Sequence, residues 1–251
     1  MEPSIQLTDI IKIFNHVVAL NRANLSAYPG EVLAIVGDNG AGKSTLIKML
    51  TGELQPDSGK IRIGGQTYRA LHIKEALSLG VFAVYQDLAL GGTMDVTSNI
   101  FLGNEIRKHG FLDRKTMKKE AEALIRELDI NIPDLRTPVS DLSGGQKQGV
   151  AVARLIKRGG RYLIFDEPTA AMGLMEADRT LKLIRNLADK GMTVLIICHN
   201  LMQVYQIADR IAVIRHGQII REDRADQISQ KDIIAILSSA DMPANTEGGK
   251  D

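Results

Sequence analysis

The sequence predicts an α/β fold built on a mostly parallel central sheet, and two observations support this prediction. First, short apolar runs of strand length recur along the chain between glycines and polar residues, which is typical of buried parallel strands. These runs are Val32–Val36, Val81–Tyr85, Tyr162–Phe165, Val194–Ile197 and Ile211–Ile214. Second, helical patterns separate several of them, and strands that alternate with helices favour a parallel sheet.

Two segments have the apolar spacing of an amphipathic helix. The segment Glu176–Lys190 places leucine and isoleucine at helical spacing, and Gly191 follows it as a stop signal. A second apolar stripe has Lys and Glu on its far side. It consists of Met117, Ala121, Leu124, Ile125 and Leu128.

Three further segments differ from this alternating pattern. Gly59–Gly65 indicates an antiparallel strand with a turn at each end. The segment Asp87–Asp141 holds no strong strand run, and we predict that it forms an inserted helical region. From about Ser239 onwards the residues are small and polar, so we predict a disordered tail.

Composition excludes several classes of protein. The 251 residues carry 31 basic and 30 acidic side chains, and this near-balance argues against a protein built mainly to wrap nucleic acid. One cysteine, Cys198, cannot form an internal disulfide. We see neither a signal peptide nor an apolar run of the roughly 20 residues needed to span a bilayer. We therefore expect a cytoplasmic protein, which would have to dock on another protein in order to work at a membrane.

A phosphate-binding loop follows the first apolar run. Gly37–Thr45 matches the pattern G-x-x-x-x-G-K-[ST] and stands between a strand and a helix, as this motif requires. Glycines let main-chain N–H groups close around a polyphosphate, and the helix N-terminus adds positive partial charge. We expect Lys43 to contact the β and γ phosphates and Ser44 to ligate Mg²⁺. The predicted nucleotide contacts are Gly37, Asp38, Asn39, Gly40, Ala41, Gly42, Lys43, Ser44 and Thr45.

Two carboxylates stand at the end of the apolar run Tyr162–Phe165. We expect Asp166 to hold Mg²⁺ through water and Glu167 to polarise the attacking water as a general base. Pro168 then ends the strand, because proline cannot donate to a sheet. A solvated acidic pair is the simpler alternative, and the phosphate loop elsewhere in the chain favours the catalytic role.

A second phosphate-binding nest is predicted at Leu142–Gln146, which reads LSGGQ and opens a helix about 20 residues before the acidic pair. Ser143, Gly144 and Gly145 would present main-chain N–H groups at the helix N-terminus. With these motifs in this order, the sequence resembles ATPase subunits of ABC transporters over nearly its whole length. The resemblance implies that two chains sandwich two ATP molecules head to tail, so that Gln146 and its neighbours contact the nucleotide of the other chain.

The resemblance also implies the ABC ATPase fold: a P-loop core with a mostly parallel sheet, an antiparallel β subdomain and an inserted helical subdomain. A single ATP-binding domain is then expected over residues 4–238. Residues 4–86 and 147–238 would form the core with its antiparallel part, and residues 87–146 the helical subdomain with the signature. Residues 239–251 are left as the tail.

Three more positions match functional residues of the family. Gln86 matches the glutamine that senses Mg²⁺ and the attacking water, and His199 matches the histidine that contacts the γ-phosphate. Phe14 matches the aromatic residue that stacks on adenine. The alternatives are a polar strand end for the glutamine, a structural histidine, and core packing for the phenylalanine. Cys198 is expected to be a buried strand residue.

The sequence departs from the family pattern at two places. After the signature, Lys147 stands where the family often has arginine, which keeps the charge and loses the planar fork. Gly173 stands where the family has an aspartate at the dimer interface. This second departure puts the coupling of hydrolysis between two chains in doubt, although it leaves nucleotide binding untouched.

The segments Tyr85–Leu90 and Met94–Glu105, with Asn200 after the histidine, resemble bacterial monosaccharide importers of the ribose, xylose and fructose type. One set of motifs implies the single-domain kind, which pairs with itself as a homodimer. The implied partners are membrane permease subunits and, indirectly, a periplasmic sugar-binding protein, at the cytoplasmic face of the inner membrane. A groove for the permease is expected at apolar side chains after Gln86, with ordinary core packing of the helical insertion as the alternative for each of them. These residues are Leu88, Leu90, Met94, Val96 and Ile100.

Other functions stay open at this point. An ABC importer for another solute would share every motif. A soluble ABC ATPase acting on nucleic acid or ribosomes is less favoured, because we expect no direct nucleic-acid contact from a chain of near-zero charge and treat its basic run as a solvated helical face. That run contains Arg107, Lys108, Arg114, Lys115, Lys118 and Lys119. A metabolic P-loop kinase would lack Leu142–Gln146.

Overall fold

The computed structural model describes residues 2–170 and 172–238. Its strands are β1 (Ile5–Phe14), β2 (Val17–Ala27), β3 (Val32–Val36), β4 (Ser58–Ile63), β5 (Gln66–Tyr68), β6 (Val81–Val84), β7 (Arg107–Lys108), β8 (Phe111–Leu112), β9 (Tyr162–Asp166), β10 (Thr193–Ile197), β11 (Arg210–Arg215) and β12 (Gln218–Arg224). Its helices are α1 (Lys43–Leu50), α2 (Ile73–Leu79), α3 (Val96–Phe101), α4 (Arg114–Glu127), α5 (Gly144–Lys157), α6 (Leu174–Asp189), α7 (Leu201–Ile207) and α8 (Gln230–Ser238).

The central sheet has the strand order β12-β11-β3-β10-β9-β6. Strands β11, β3, β10, β9 and β6 are parallel, and only the edge strand β12 pairs antiparallel. The five parallel strands coincide with the five apolar runs, so the predicted fold class is confirmed. Because parallel strands end at the same edge of a sheet, the segments that follow β3, β9 and β10 meet there.

A second, antiparallel sheet has the order β2-β1-β4-β5. It lies on one face of the central sheet, and the two sheets and α1 share one hydrophobic core. Leu33 and Ile35 of β3 point into that core. Their neighbours Val32, Ala34 and Val36 point to the opposite core, which is covered by the helices that follow. This alternation along one strand explains why the whole run is apolar: both faces of β3 are buried.

The segment between β6 and α5 contains α3, the short hairpin β7–β8 and α4. The predicted stripe on α4 is confirmed, since Met117, Ala121 and Ile125 are buried against the main core. The predicted permease groove is wrong for two of its residues. Val96 and Ile100 are fully buried in the core and present no surface to a partner, because α3 packs its apolar face against α5.

Within the described residues, no helix is long and apolar enough to cross a membrane. The predicted tail, residues 239–251, lies outside the part of the chain that the structure describes.

Candidate functional site

The phosphate loop leaves β3 and enters α1 through two glycines with positive φ, Gly40 at 81° and Gly42 at 109°. The Nζ atom of Lys43 donates to the carbonyl oxygens of Gly37 (2.7 Å) and Asp38 (2.8 Å). Its ammonium group is therefore curled over the loop. Burial lowers the pKa of Lys43, although three nearby carboxylates oppose that shift.

The loop is wedged between β11 and β2, and this position explains two of its glycines. A Cβ atom at Gly37 would stand 2.3 Å from the carbonyl oxygen of Ile214, and one at Gly42 would stand 2.6 Å from the carbonyl oxygen of Ala19. Both obstacles are main-chain atoms, which cannot rotate away as a side chain could. A side chain at either position would therefore displace the loop.

The acidic pair stands where β9 ends beside β10. Burial raises the pKa of Asp166, and the neighbouring Glu167 carboxylate acts in the same direction. Glu167 has a left-handed φ of 49°, which is uncommon for a residue with a side chain, and its N–H donates to the carbonyl oxygen of Ile197 at 3.0 Å. Such strained backbone is concentrated at functional sites.

Glu167 and His199 lie next to each other, although they follow different strands. The distance from Oε2 of Glu167 to Nδ1 of His199 is 3.3 Å. Together with Gly37, Asp38 and Asn39 they line a cleft of about 520 Å³. The structure therefore brings a carboxylate, an imidazole and the phosphate loop around one space.

Two more predicted residues stand at strand ends. Gln86 follows β6 and is exposed. Phe14 ends β1 with 40% of its surface exposed, and Nζ of Lys12 lies 5.5 Å from its ring centroid. The alternative of core packing for Phe14 is thus wrong. Its ring is free to meet a planar group.

The second nest caps the N-terminus of α5. The Ser143 N–H donates to Oε1 of Gln146 (2.9 Å), and the Gln146 N–H donates to Oγ of Ser143 (3.4 Å). The Nε2 atom of Gln146 donates further to the carbonyl oxygen of Asn131 at 2.7 Å. Both polar atoms of the Gln146 side-chain amide are therefore used in hydrogen bonds inside the chain, and these bonds hold the nest in place. Gly144 and Gly145 occupy the first helical turn, where N–H groups lack acceptors inside the helix.

The nest and the phosphate loop border different spaces of the same chain. Ser143, Gly145 and Gln146 line a cavity of about 280 Å³ together with residues of α6. That cavity and the cleft at Glu167 have no lining residue in common.

Sequence reasoning missed a contact between the segments that follow β9 and β10. The hydroxyl of Thr169 donates to Oε1 of Gln203 at 2.6 Å, and Asn200 caps α7 by accepting from the N–H of Met202 at 3.1 Å. Cys198 is buried as predicted, although it lies one residue after the end of β10 and not in the strand, and this burial raises the pKa of its thiol. Gln203 gave no signal, because its partner is 34 residues away and the two meet only in the folded sheet.

The ABC transporter family profile matches residues 20–170, which is more than half of the chain. The chain belongs to the ABC transporter family. The fructose import ATP-binding protein FrcA of Rhizobium meliloti is 40% identical over 96% of both chains. The xylose/arabinose import ATP-binding protein XylG of Sulfolobus acidocaldarius is 41% identical over 95% of both.

Solved structures agree with this family assignment. The ADP conformation of an ATP-binding cassette of an ABC transporter superposes with a TM-score of 0.80, at 28% identity, over 95% of this chain and 96% of that one. The expected ABC ATPase fold is therefore confirmed.

Proposed function

We propose that this ABC ATPase cassette hydrolyses ATP to power sugar uptake through membrane permease subunits. The observation that carries the proposal is the approach of Glu167 and His199, at 3.3 Å, beside the phosphate loop. Sugar is favoured as the solute because two relatives that match over nearly their full length are named as fructose and xylose/arabinose import proteins.

Nucleotide binding is assigned to the phosphate loop and Phe14. The main-chain N–H groups and the Lys43 ammonium would hold the phosphates, while the exposed ring of Phe14 would stack on the base. Ser44, Asp166 and Gln86 supply the oxygen ligands that Mg²⁺ prefers. Among the described residues, no group of three or more acidic, histidine or cysteine side chains is arranged so that it could hold a metal ion by itself. This fits Mg²⁺, which binds through one or two carboxylates plus substrate phosphates and neutralises charge on them.

Hydrolysis is assigned to Glu167. Its carboxylate accepts a proton from the attacking water, while the water oxygen bonds to the γ-phosphorus and the bond to the bridging oxygen breaks. His199 holds the carboxylate from the neighbouring strand and stands where it can also meet the γ-phosphate. Glu167 has a left-handed φ, and its side chain lies beside His199 in the segment after β10.

The complete site is proposed to need a second copy of the chain. Ser143 and Gly145 border a space separate from the chain's own cleft, so the N–H groups of Ser143, Gly144 and Gly145 would serve the nucleotide of the partner. A homodimer with two such sites follows from head-to-tail pairing. We place this dimer on permease subunits at the cytoplasmic face of the inner membrane, with a periplasmic sugar-binding protein as an indirect partner and no direct nucleic-acid contact.

The solute is tested by transport in cells of the source organism that lack this chain. Uptake of radiolabelled fructose, xylose, arabinose and ribose is measured for one sugar at a time. The wild-type chain should restore the uptake of at least one of these sugars, and a Lys43→Ala chain should not. The control is uptake of an amino acid that uses another carrier. If no sugar responds while the purified chain hydrolyses ATP, the assignment to sugar is wrong and the ATPase assignment stands.

Gly173 gives a separate prediction about the dimer interface. It is the N-cap of α6 with φ −68° and ψ 160°, so it does not use the freedom of glycine, and an added Cβ would have no neighbour within 4 Å. Gly173→Asp would cap α6 and favour its dipole, and we expect a gain of about 0.3–1 kcal/mol in unfolding free energy. A carboxylate at the interface should also raise the basal ATPase rate or its Hill coefficient.

Gly173→Asn is the matched variant, because it caps the helix without the charge. Thermal melting and steady-state hydrolysis against ATP concentration, at equal dimer fraction, separate the two effects. An unchanged rate and Hill coefficient in the aspartate variant, with a wild-type chain that is already fast and cooperative, would show that the glycine is neutral.

A further inference from the structure

Arg154 joins the helix that begins at the second nest to the segment that follows Gln86. Its Nη1 atom donates to the carbonyl oxygen of Ala89 at 2.8 Å, and its Nη2 atom donates to the carbonyl oxygen of Leu88 at 2.7 Å. These carbonyls lie two and three residues after Gln86, and 65 or 66 residues before Arg154 in the chain. One guanidinium thus holds two successive peptide units of a distant segment.

The surroundings of Arg154 raise the free-energy cost of keeping a charged side chain at this position. Its Nε atom is enclosed by protein and has no hydrogen-bond partner, and burial lowers the pKa of the guanidinium, with Arg158 acting in the same direction. The ion pairs found among the described residues include none that Arg154 makes with a carboxylate. A partly desolvated cation without a carboxylate is weak support for folding stability. The two hydrogen bonds to the segment after Gln86 are therefore the contribution of this arginine that an apolar side chain would not supply.

The segment that Arg154 holds has a strained main chain, and hydrogen bonds fix both its N–H and its carbonyl groups. Ala89 has a left-handed φ of 46°, which alanine rarely adopts. The N–H of Ala89 donates to Oδ1 of Asp87 at 2.9 Å, while its carbonyl accepts from Arg154. The side chains of Leu88 and Leu90 pack against the main core. The turn directly after Gln86 therefore takes its shape from Asp87 and Arg154 together.

We propose that Arg154 is a positioning residue that links two parts of the nucleotide site. One part is the nest at the N-terminus of α5, and the other is the turn that follows Gln86. Ser143 caps the start of α5, and Arg154 stands eleven residues later, roughly 16 Å along the helix axis. Through its two hydrogen bonds, a shift of the nest toward a partner's nucleotide is passed to the turn that carries Gln86. This inference rests on the proposed function for the roles of Ser143 and Gln86.

The test is Arg154→Met, which keeps the length and apolar stem of the side chain and removes the charge and both hydrogen bonds. We expect only a small change in melting temperature, because the relief from keeping a charge partly out of water offsets part of the cost of the two lost hydrogen bonds. The kcat for ATP should fall at least about tenfold with KM for ATP nearly unchanged, and the Mg²⁺ concentration for half-maximal activity should rise several-fold. Arg154→Lys, which keeps the charge but puts a single nitrogen in place of the planar two-pronged guanidinium, should fall between wild type and Arg154→Met.

Hydrogen exchange provides a readout that does not depend on hydrolysis. In the protein without nucleotide, the amides of residues 86–91 should exchange faster in Arg154→Met than in wild type. The matched control is Arg158→Met, which removes a neighbouring cation whose guanidinium lies over the ring of Phe82 at 5.8 Å. It should leave both the exchange of residues 86–91 and the Mg²⁺ dependence unchanged.

The outcomes separate three explanations. Wild-type exchange and wild-type Mg²⁺ dependence in Arg154→Met would overturn the proposal. A drop in melting temperature with faster exchange throughout α5 and the core would also overturn it, since the residue would then serve the fold alone. Faster exchange confined to residues 86–91 in a protein whose wild type hydrolyses no ATP would support the link and contradict the proposed function.

Discussion

Glu167→Gln is expected to lower the rate of ATP hydrolysis by about 10²–10⁴-fold, the usual contribution of a general base. Glutamine has nearly the shape of glutamate and still offers an oxygen to His199, so the cleft keeps its form, but the amide cannot accept a proton from water. Affinity for ATP should change little, since the phosphate loop is untouched. Because bound ATP is no longer consumed, it should hold two chains together, which size-exclusion chromatography with ATP and Mg²⁺ would show.

Glu122→Gln is the matched control for this experiment. Glu122 lies on α4, is exposed, and forms a surface ion pair with Lys118 at 3.7 Å. Such a pair contributes little to stability, so the control should hydrolyse ATP and elute as wild type does. A Glu167→Gln chain that hydrolyses ATP at the wild-type rate would remove Glu167 from the role of general base.

Ser143→Arg is expected to abolish hydrolysis while ATP still binds to the chain's own phosphate loop. The long charged side chain would fill the nest, whose Ser143 hydroxyl caps α5 in the wild type. Loss of the cap alone costs about 0.5–2 kcal/mol, so Ser143→Ala serves as the control for folding. Fluorescent nucleotide binding and steady-state hydrolysis measure the two effects separately.

Mixing Ser143→Arg with Lys43→Ala tests the shared site. Each chain alone lacks one part of every site, but a mixed dimer regains one site with an intact loop from the first chain and an intact nest from the second. Random pairing at equal amounts should restore roughly a quarter of wild-type activity if the sites act independently. No rescue at any ratio, with mixed dimers demonstrated by crosslinking, would contradict a site shared between chains.

The parallel strands could be predicted because both of their faces are buried, which leaves an unbroken apolar run. Strands β1 and β2 gave no such signal. Their pairing is interrupted by register shifts, with left-handed φ at Asp9 and Arg22, so the alternation of apolar and polar residues is lost. The hairpin β7–β8 has two residues in each strand, too few for any period. Strand β12 lies at an edge and is mostly polar.

The site motifs could be predicted because each is a contiguous stretch with its own local chemistry. What the sequence did not contain is how these stretches touch. The bonds from Arg154 to Leu88, from Thr169 to Gln203 and from Gln146 to Asn131 all join segments that only the fold brings together. The same limit explains the wrong groove residues: an apolar side chain such as Val96 fits a core and a docking surface equally well in a sequence.

The main-chain contact between β2 and the phosphate loop has a consequence for how nucleotide affinity changes between related chains. Ala19 faces Gly42 on one side and Gly217 on the other, where an added Cβ would stand 2.6 Å and 2.8 Å from its carbonyl oxygen. β2 is also paired with β1, which ends at Phe14. With the proposed roles of Phe14 and the phosphate loop, the groups that would hold the base and the phosphates are thus joined through β2. Replacing a buried residue of β2 such as Leu20 is then expected to change nucleotide affinity, although that residue touches no ligand.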